Sequence, residues 1–343
     1  MVEKQTEFLI EPNKKPQNLF KSLSLTILLL KMINNELKNA LLKEDPFADI
    51  LGQNEAKKSV KSALLSDRHI ILVGAPGIGK TTLAKNIAKL LPQKGKGKIP
   101  FVRIQGSPDL TVEDLLGDID PIKALKFGPL SLEAFTKGKI FKADKGILFF
   151  DELNRCPEKL QNALLQVLEE KKATIGSYDV DFDLDFIFLG TMNPEDTSTE
   201  KLSDVLLDRF DLVYMHYPET LQLEKEIVRL KGKKLAEISD KLLTLIAYFV
   251  RLLREDKNLE KKPSVRASLG LYERAQANAL IGNRTEVNFD DIKEAVSSVL
   301  SHRIRLKPSI KYLQSPKDYI KQKFQKTIVE EKWEEELKKS DFL

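Results

Sequence analysis

"HIILVGAPGIGKTTLAKNIAKLL", residues 69–91, decides the fold of this chain. It opens with the short apolar run "HIILVG" (69–74), which is typical of a strand buried in a parallel sheet. A glycine-rich turn follows, and the apolar residues after that turn recur at helical spacing. Residues 74–81 fit the pattern G-x-x-x-x-G-K-[ST] in the strand–turn–helix context that the pattern requires. The stretch therefore predicts a phosphate-binding loop inside an α/β domain.

The chemistry of this loop predicts a site for ATP and Mg²⁺. Glycines let backbone N–H groups turn toward phosphate oxygens, and the N-terminus of the following helix adds its dipole. Lys80 is expected to reach the β and γ phosphates, and the Thr81 hydroxyl to ligate Mg²⁺. The alternative is a glycine-rich turn that binds no nucleotide. The loop residues expected to contact nucleotide are Gly74, Ala75, Pro76, Gly77, Ile78, Gly79, Lys80, Thr81 and Thr82.

Three further strands are predicted, and helices alternate with them. They read "FVRIQ" (101–105), "GILFFDE" (146–152) and "FIFLGTMN" (186–193), and a helix is expected between Glu152 and Glu170. Strands that alternate with helices indicate a three-layer α/β domain with a parallel sheet. We expect this domain to span residues 46–218.

Polar side chains end two of these strands. Asp151 is expected to hold the Mg²⁺ shell, and Glu152 to orient or deprotonate the attacking water. Alone, an Asp-Glu pair after a strand more often caps a helix. When it follows a phosphate-binding loop in the chain, it is a strong signal for a Mg²⁺ and water site. Asn193 ends the strand 186–193 and is expected to bond the γ-phosphate or the water, although a lone asparagine there is usually a turn residue.

Two arginines are candidates for neutralising phosphate charge. Arg209, in "LLDRF" (206–210), is either an ordinary salt-bridged helix arginine or an arginine finger that reaches the γ-phosphate of a neighbouring subunit. Arg266, in "SVRASL" (264–269), lies near the start of a predicted helix and could clamp phosphate when a lid closes.

The chain after Pro218 has helical patterns in place of strands. We expect a small all-helical second domain at 219–306, flanked by an N-terminal extension, 1–45, and a charged C-terminal segment, 307–343. Asn288 and Ser315 are predicted helix caps, Ser315 opening a helix over 316–340. The other predicted helices are 19–44, 221–231, 240–255, 266–281 and 290–301.

Composition is that of an ordinary globular protein. The chain has 343 residues, enough for two domains, with 42% hydrophobic and 31% charged residues and a net charge of +5. One cysteine, Cys156, excludes an internal disulfide framework and fits a reducing cytoplasm. The most apolar stretch, 23–33, is too short to span a bilayer. Translation could begin at Met1 or at Met32.

The order "ILGQ", "GAPGIGKT", "FFDELN", "GTMNP", "LLDRF", "VRASL" resembles AAA+ ATPases, and within them MoxR-type proteins and the ATPase subunit of magnesium chelatase. The resemblance covers roughly residues 46–305. It implies that Asn193 is sensor 1, Arg209 the arginine finger and Arg266 sensor 2, with Leu51 and Gly52 near the adenine. It also implies a homo-oligomeric ring, commonly a hexamer, and a protein partner that often carries a von Willebrand factor A domain.

Two inserts resemble those of the same family, at 107–145 and 173–186. The first of them runs longer than the MoxR pattern over residues 130–145. The motif order also resembles the GTPase motor of a restriction system, but no N-K-x-D motif for guanine is present, so ATP is favoured. Three functions follow: a ring ATPase that remodels or activates a protein, a nucleic-acid translocase, or the motor subunit of a metal chelatase.

The insert at 173–186 favours a protein over a nucleic acid as partner. Its second half alternates apolar residues with four carboxylates, at Asp179, Asp181, Asp183 and Asp185. Carboxylates repel the phosphate backbone, although they could instead only solvate an edge strand. The other insert could supply a basic surface through Lys123, Lys126, Lys137 and Lys139.

Overall fold

The predicted strands assemble into one sheet in the computed structural model, which describes residues 38–43, 45–90, 99–129, 131–174, 181–194, 202–331 and 333. The sheet contains β1 (His69–Val73), β2 (Phe101–Gln105), β5 (Ile147–Asp151), β8 (Ile187–Met192) and β9 (Phe210–Tyr214). All neighbouring strands pair in parallel, in the order β2-β5-β8-β1-β9. The parallel sheet is thus confirmed, and β9 is a strand that the sequence analysis did not include.

Strand β1 shows why this domain has three layers. Ile70 and Leu72 belong to one apolar core, whereas Ile71 and Val73 belong to another. Successive side chains of a strand point to opposite faces, so both faces of the sheet are covered. The helices of this part are α1 (38–43), α2 (Asn54–Leu65), α3 (Lys80–Leu90), α4 (Val112–Leu116), α5 (Pro121–Phe127), α6 (Glu158–Glu170) and α7 (Asp204–Leu207).

The inserts form two antiparallel hairpins. In the first, β3 (Gly117–Ile119) pairs with β4 (Phe135–Lys137), and in the second, β6 (Lys172–Thr174) pairs with β7 (Asp181–Asp183). Residues 175–180, which include Asp179, lie outside the described residues. Phe182 stacks on Phe135 at 5.6 Å between ring centroids, and Leu184 and Phe186 are buried. The apolar face predicted for this segment therefore does face inward over 182–186.

The second half of the chain is helical, as expected. Asn288 caps α11 (Phe289–Leu300) in a capping box with Asp291, and Ser315 caps α13 (Pro316–Glu330). A two-stranded ribbon, β10 (Leu259–Lys261) with β11 (Arg305–Leu306), was not predicted, because strands this short carry no readable alternation. The helices are α8 (Leu221–Lys231), α9 (Asp240–Glu255), α10 (Val265–Ile281), α11 (Phe289–Leu300), α12 (Pro308–Lys311) and α13 (Pro316–Glu330).

Helix α13 packs into the same apolar core as α9, α10 and α11. Tyr319, Ile320, Phe324 and Ile328 are buried there, and Trp333 packs against the core. Most of the predicted extension of α13 to residue 340 lies outside the described residues, as does most of the predicted helix 19–44. Within the described part of the chain, no helix is both long and apolar enough to cross a membrane. The apolar stretch 23–33 is not among the described residues.

Candidate active site

A cavity of about 690 Å³ lies between the sheet and the helical second half of the chain. Its wall contains Pro76 to Thr82 of the glycine-rich loop and the start of α3, the acids Asp151 and Glu152 at the end of β5, and Arg266 of α10. Asn193 also lines it, as does Leu51, whose place near the nucleotide was implied by the family resemblance. Gly52, Gly74, Ala75 and Arg209 are not part of its lining. The cavity thus gathers most of the predicted site residues from five separate stretches of the chain.

The glycine-rich loop adopts a backbone that side chains disfavour. Gly77 and Gly79 have φ angles of +74° and +105°. A Cβ atom at Gly77 would lie 2.9 Å from the Arg266 Cγ, so the loop and the second half of the chain meet there at close range. Helix α3 begins at Lys80, and its first N–H groups have no acceptor within the helix. This cradle fits a phosphate chain.

Lys80 closes the loop from within. Its Nζ donates hydrogen bonds to the carbonyl oxygens of Gly74 and, at 2.8 Å, of Ala75. Those two residues therefore contribute to the site by holding the lysine, although they do not line the cavity.

Asp151 and Thr81 meet at the floor of the cavity. The Thr81 Oγ1 lies 3.3 Å from the Asp151 Oδ2, and the Thr191 hydroxyl donates to the Asp151 Oδ1 at 2.7 Å. The Asp151 side chain is only 9% exposed. A hydroxyl beside a carboxylate matches the few protein oxygens that Mg²⁺ takes in phosphate-binding sites, so these residues fit the metal. A bound Mg²⁺ supplies positive charge to the phosphate oxygens.

Glu152 is held in a strained conformation beside Asp151. Its φ of 58° places a non-glycine residue in the left-handed region, which costs about 1–3 kcal/mol and is typical of functional positions. Its Oε2 accepts from the Gln105 Nε2 at 3.0 Å and pairs with the Arg155 guanidinium at 3.1 Å. Its backbone N–H donates to the Thr191 Oγ1. The contacts with Gln105 and Arg155 thereby fix the orientation of the Glu152 carboxylate.

Sequence analysis missed two site residues on β2, Arg103 and Gln105. Both line the cavity, and the Arg103 Nη2 donates to the Asp151 Oδ2 at 2.7 Å. Residues two apart on a strand share a face, so "RIQ" at the end of a predicted strand was a readable signal. The sequence did not reveal that β2 pairs with β5, and this pairing places Gln105 opposite Asp151.

The two candidate arginines occupy different places. Arg266 lies in the first turn of α10 and lines the cavity. Arg209 instead donates a hydrogen bond of 2.6 Å to the Val205 carbonyl and pairs with Glu169 of α6. An arginine that acts on the nucleotide of its own subunit must reach the cavity. Arg266 meets this requirement and Arg209 does not. Asn193 lines the cavity, and its carbonyl accepts from Asn154 at 3.0 Å.

The helical half contributes apolar side chains to the cavity wall, namely Ile227, Leu230 and Leu269. Gln53 bonds to both the N–H and the carbonyl of His216, which joins the loop before α2 to the end of the sheet. An apolar pocket bounded by helices suits a flat heteroaromatic ring.

Comparison with known proteins agrees with this architecture. The family model for the AAA domain (dynein-related subfamily) matches residues 69–210, and that for the AAA lid domain matches residues 253–322. The uncharacterized protein YeaC of Bacillus subtilis is 30% identical over 282 residues, covering 73% of this chain and 82% of YeaC. The chain belongs to the AAA+ ATPases.

Further relatives place this AAA+ ATPase with the MoxR and magnesium-chelatase type. The chaperone MoxR1 of Mycobacterium tuberculosis is 28% identical, with 75% of this chain and 73% of MoxR1 covered. A magnesium-chelatase subunit ChlI homolog of Methanocaldococcus jannaschii is 26% identical, with 77% and 86% covered. A solved RuvB structure of Thermotoga maritima has a TM-score of 0.50 at 21% identity, covering 76% of this AAA+ chain and 74% of that one, and shows the fold alone.

Proposed function

We propose that this chain forms a cytoplasmic, homo-hexameric ring. The ring acts as a motor that couples Mg²⁺-dependent ATP hydrolysis to the remodelling or activation of a protein partner. The observation that carries the proposal is that the cavity lacks Arg209 while it contains the other predicted catalytic residues. Transition-state charge on a phosphoryl group calls for such an arginine. A second copy of the chain is what could supply it. In this scheme Glu152 activates the water, Asn193 orients it, and Lys80 and Arg266 hold the phosphates.

Arg209→Ala is expected to bind ATP normally and to hydrolyse it at least about 10³-fold more slowly. Mixing it with Lys80→Ala protein should restore part of the activity. In a mixed ring, the intact loop of one subunit meets the intact Arg209 of its neighbour. The measurement is phosphate release as a function of the mixing ratio, after subunit exchange has been verified with labelled protein.

Arg266→Ala is the matched control, because Arg266 lines the cavity of its own subunit. No subunit in a mixture with Lys80→Ala then carries both an intact lysine and an intact Arg266, so activity should stay low. Equal rescue of both arginine variants, or of neither, would contradict a role of Arg209 at the neighbouring site.

Two features support a protein as partner. On α5, Ile122 and Leu125 are 79% and 91% exposed, which is typical of a surface that contacts another protein. The relatives include a protein named as a chaperone and one named as a magnesium-chelatase subunit homolog. We propose a partner with a von Willebrand factor A domain as the first candidate.

A hydrolysis-deficient Glu152→Gln protein should trap this partner when ATP is present and lose it in ADP. Adding Leu125→Ser to the trap should abolish capture while nucleotide binding persists, because Leu125 is not part of the cavity wall. If the same amount of partner were captured with ATP and with ADP, and with and without Leu125→Ser, remodelling driven by ATP hydrolysis would be contradicted.

The same ATPase is expected to show no stimulation by single- or double-stranded DNA at physiological salt. Asp183 is exposed on the second hairpin, and Asp185 beside it pairs with Lys171 at 3.3 Å. Lys137 of the other insert lies 5.4 Å and 5.5 Å above the rings of Phe141 and Phe182. The exposed Asp183 repels phosphates. Lys171 and Lys137 are exposed, and each has a partner within the protein.

The test is the ATPase rate with added DNA over a salt titration. Asp183→Lys is the matched variant, since it reverses one charge at the hairpin surface. A rate that rises strongly with DNA in the wild type and fades with salt would favour a nucleic-acid translocase instead.

A further inference from the structure

Arg103 contacts the carboxylate that is best placed to ligate Mg²⁺. Its Nη2 donates to the Asp151 Oδ2 at 2.7 Å and to the Gln105 Oε1 at 3.0 Å. The Asp151 Oδ1 accepts from Thr191 at 2.7 Å. Each carboxylate oxygen of Asp151 therefore already has a short hydrogen bond, and one of them comes from a cation.

Position and exposure make this contact reversible. Arg103 lies on β2, one of the two edge strands of the sheet, and its side chain is 45% exposed, whereas that of Asp151 is 9% exposed. An arginine side chain at the border of a cavity can leave its partner without unpacking the core. The buried carboxylate cannot move away in the same manner, since its strand is paired on both sides.

A guanidinium and a divalent cation cannot share one carboxylate oxygen at little cost. Both are positive, and Mg²⁺ demands its oxygen ligands in a nearly ideal octahedral arrangement. The metal ion must either take the place of the guanidinium or tolerate its charge nearby.

We propose that Arg103 is the counter-ion of Asp151 in the metal-free site, that it is displaced when Mg²⁺ binds with nucleotide, and that it thereby sets the Mg²⁺ concentration at which the site loads. The proposal rests on the assignment of this cavity to nucleotide and Mg²⁺. Arg103 is in this view a regulator of metal affinity, distinct from the residues that act on phosphate. It links loading of the motor to the free Mg²⁺ level.

Arg103→Gln should lower the metal concentration needed for half-saturation by roughly two- to fivefold, the range expected for a partly exposed ion pair. The measurement is Mn²⁺ binding to the protein–ADP complex by electron paramagnetic resonance, supported by fluorescent-ADP affinity over an Mg²⁺ titration. Neither readout depends on turnover. Arg103→Met, which removes every donor, should give the same shift.

Arg155→Gln is the matched control, because Arg155 contacts Glu152 at 3.1 Å on the same side of the cavity. It should leave the metal midpoint where it is in the wild type. An unchanged or raised midpoint in both Arg103 variants would overturn the proposal, and so would an equal shift in Arg155→Gln. Wild-type protein that fails to bind fluorescent ADP would instead refute the assignment of the cavity itself.

Discussion

Glu152→Gln is expected to lower ATP turnover by about 10²–10⁴-fold while leaving nucleotide affinity nearly unchanged. Glutamine keeps the size of the side chain and can still meet Gln105, but it cannot accept a proton from water. The structure strengthens this expectation, because Glu152 is held in the left-handed backbone region beside Asp151 and within the cavity wall. Steady-state phosphate release gives the rate, and fluorescent-nucleotide titration gives the affinity.

Lys80→Ala is expected to lose nucleotide affinity, and its ATP turnover falls with it because less ATP is bound. Removing a charge-assisted hydrogen-bond donor to phosphate should weaken binding by roughly 10- to 100-fold.

Glu294→Gln on α11 is the matched control for Glu152→Gln, since Glu294 is exposed and does not line the cavity. Hydrolysis at the wild-type rate by Glu152→Gln would show that the catalytic assignment is wrong.

The second large effect concerns an ion pair buried in the helical half. Arg254 of α9 makes two hydrogen bonds, of 2.6 Å and 2.7 Å, to the Glu224 carboxylate of α8, which is fully buried. Ser268 of α10 donates to the same carboxylate, and the Arg254 Nε donates to the Pro263 carbonyl. The pair therefore joins three helices and the turn that precedes Arg266.

Arg254→Met should reduce the free energy of unfolding of this half by about 3–5 kcal/mol, because it leaves a buried carboxylate without its main partner. Adding Glu224→Met should recover much of the loss, since the charge itself is then removed. Trp333 is the one tryptophan of the chain and packs against this core, so its fluorescence in a urea titration reports on this half.

Arg284→Met is the comparison variant. Arg284 also makes two hydrogen bonds, both of 2.7 Å, to Asp291, whose side chain is 4% exposed. The Arg284 side chain is itself 39% exposed, against 7% for Arg254, so water can take the place of its guanidinium beside the carboxylate. A clearly smaller loss is expected. If Arg254→Met were no more damaging than Arg284→Met, burial of the arginine would not be the source of the effect.

Features that depend on neighbouring residues were predicted correctly from the sequence. The strand, glycine turn and helix at 69–90 depend on residues that are neighbours in the sequence. The left-handed backbone at Gly77 and Gly79 needs glycine at those positions, and the apolar patterns on either side predict the strand and the helix. The caps at Asn288 and Ser315 were predicted for the same reason. The parallel sheet followed from the alternation of strands and helices.

The tertiary structure alone decided which distant residues meet. Arg103 reaches Asp151 because β2 pairs with β5, and Arg254 reaches Glu224 across 30 positions because α8 packs against α9. Arg209 lies outside the cavity, although its sequence context resembles that of a catalytic arginine. Such contacts depend on strand order and helix packing, which arise from the burial of many apolar side chains together. No short pattern encodes them, so the partners of charged side chains became visible only in the folded chain.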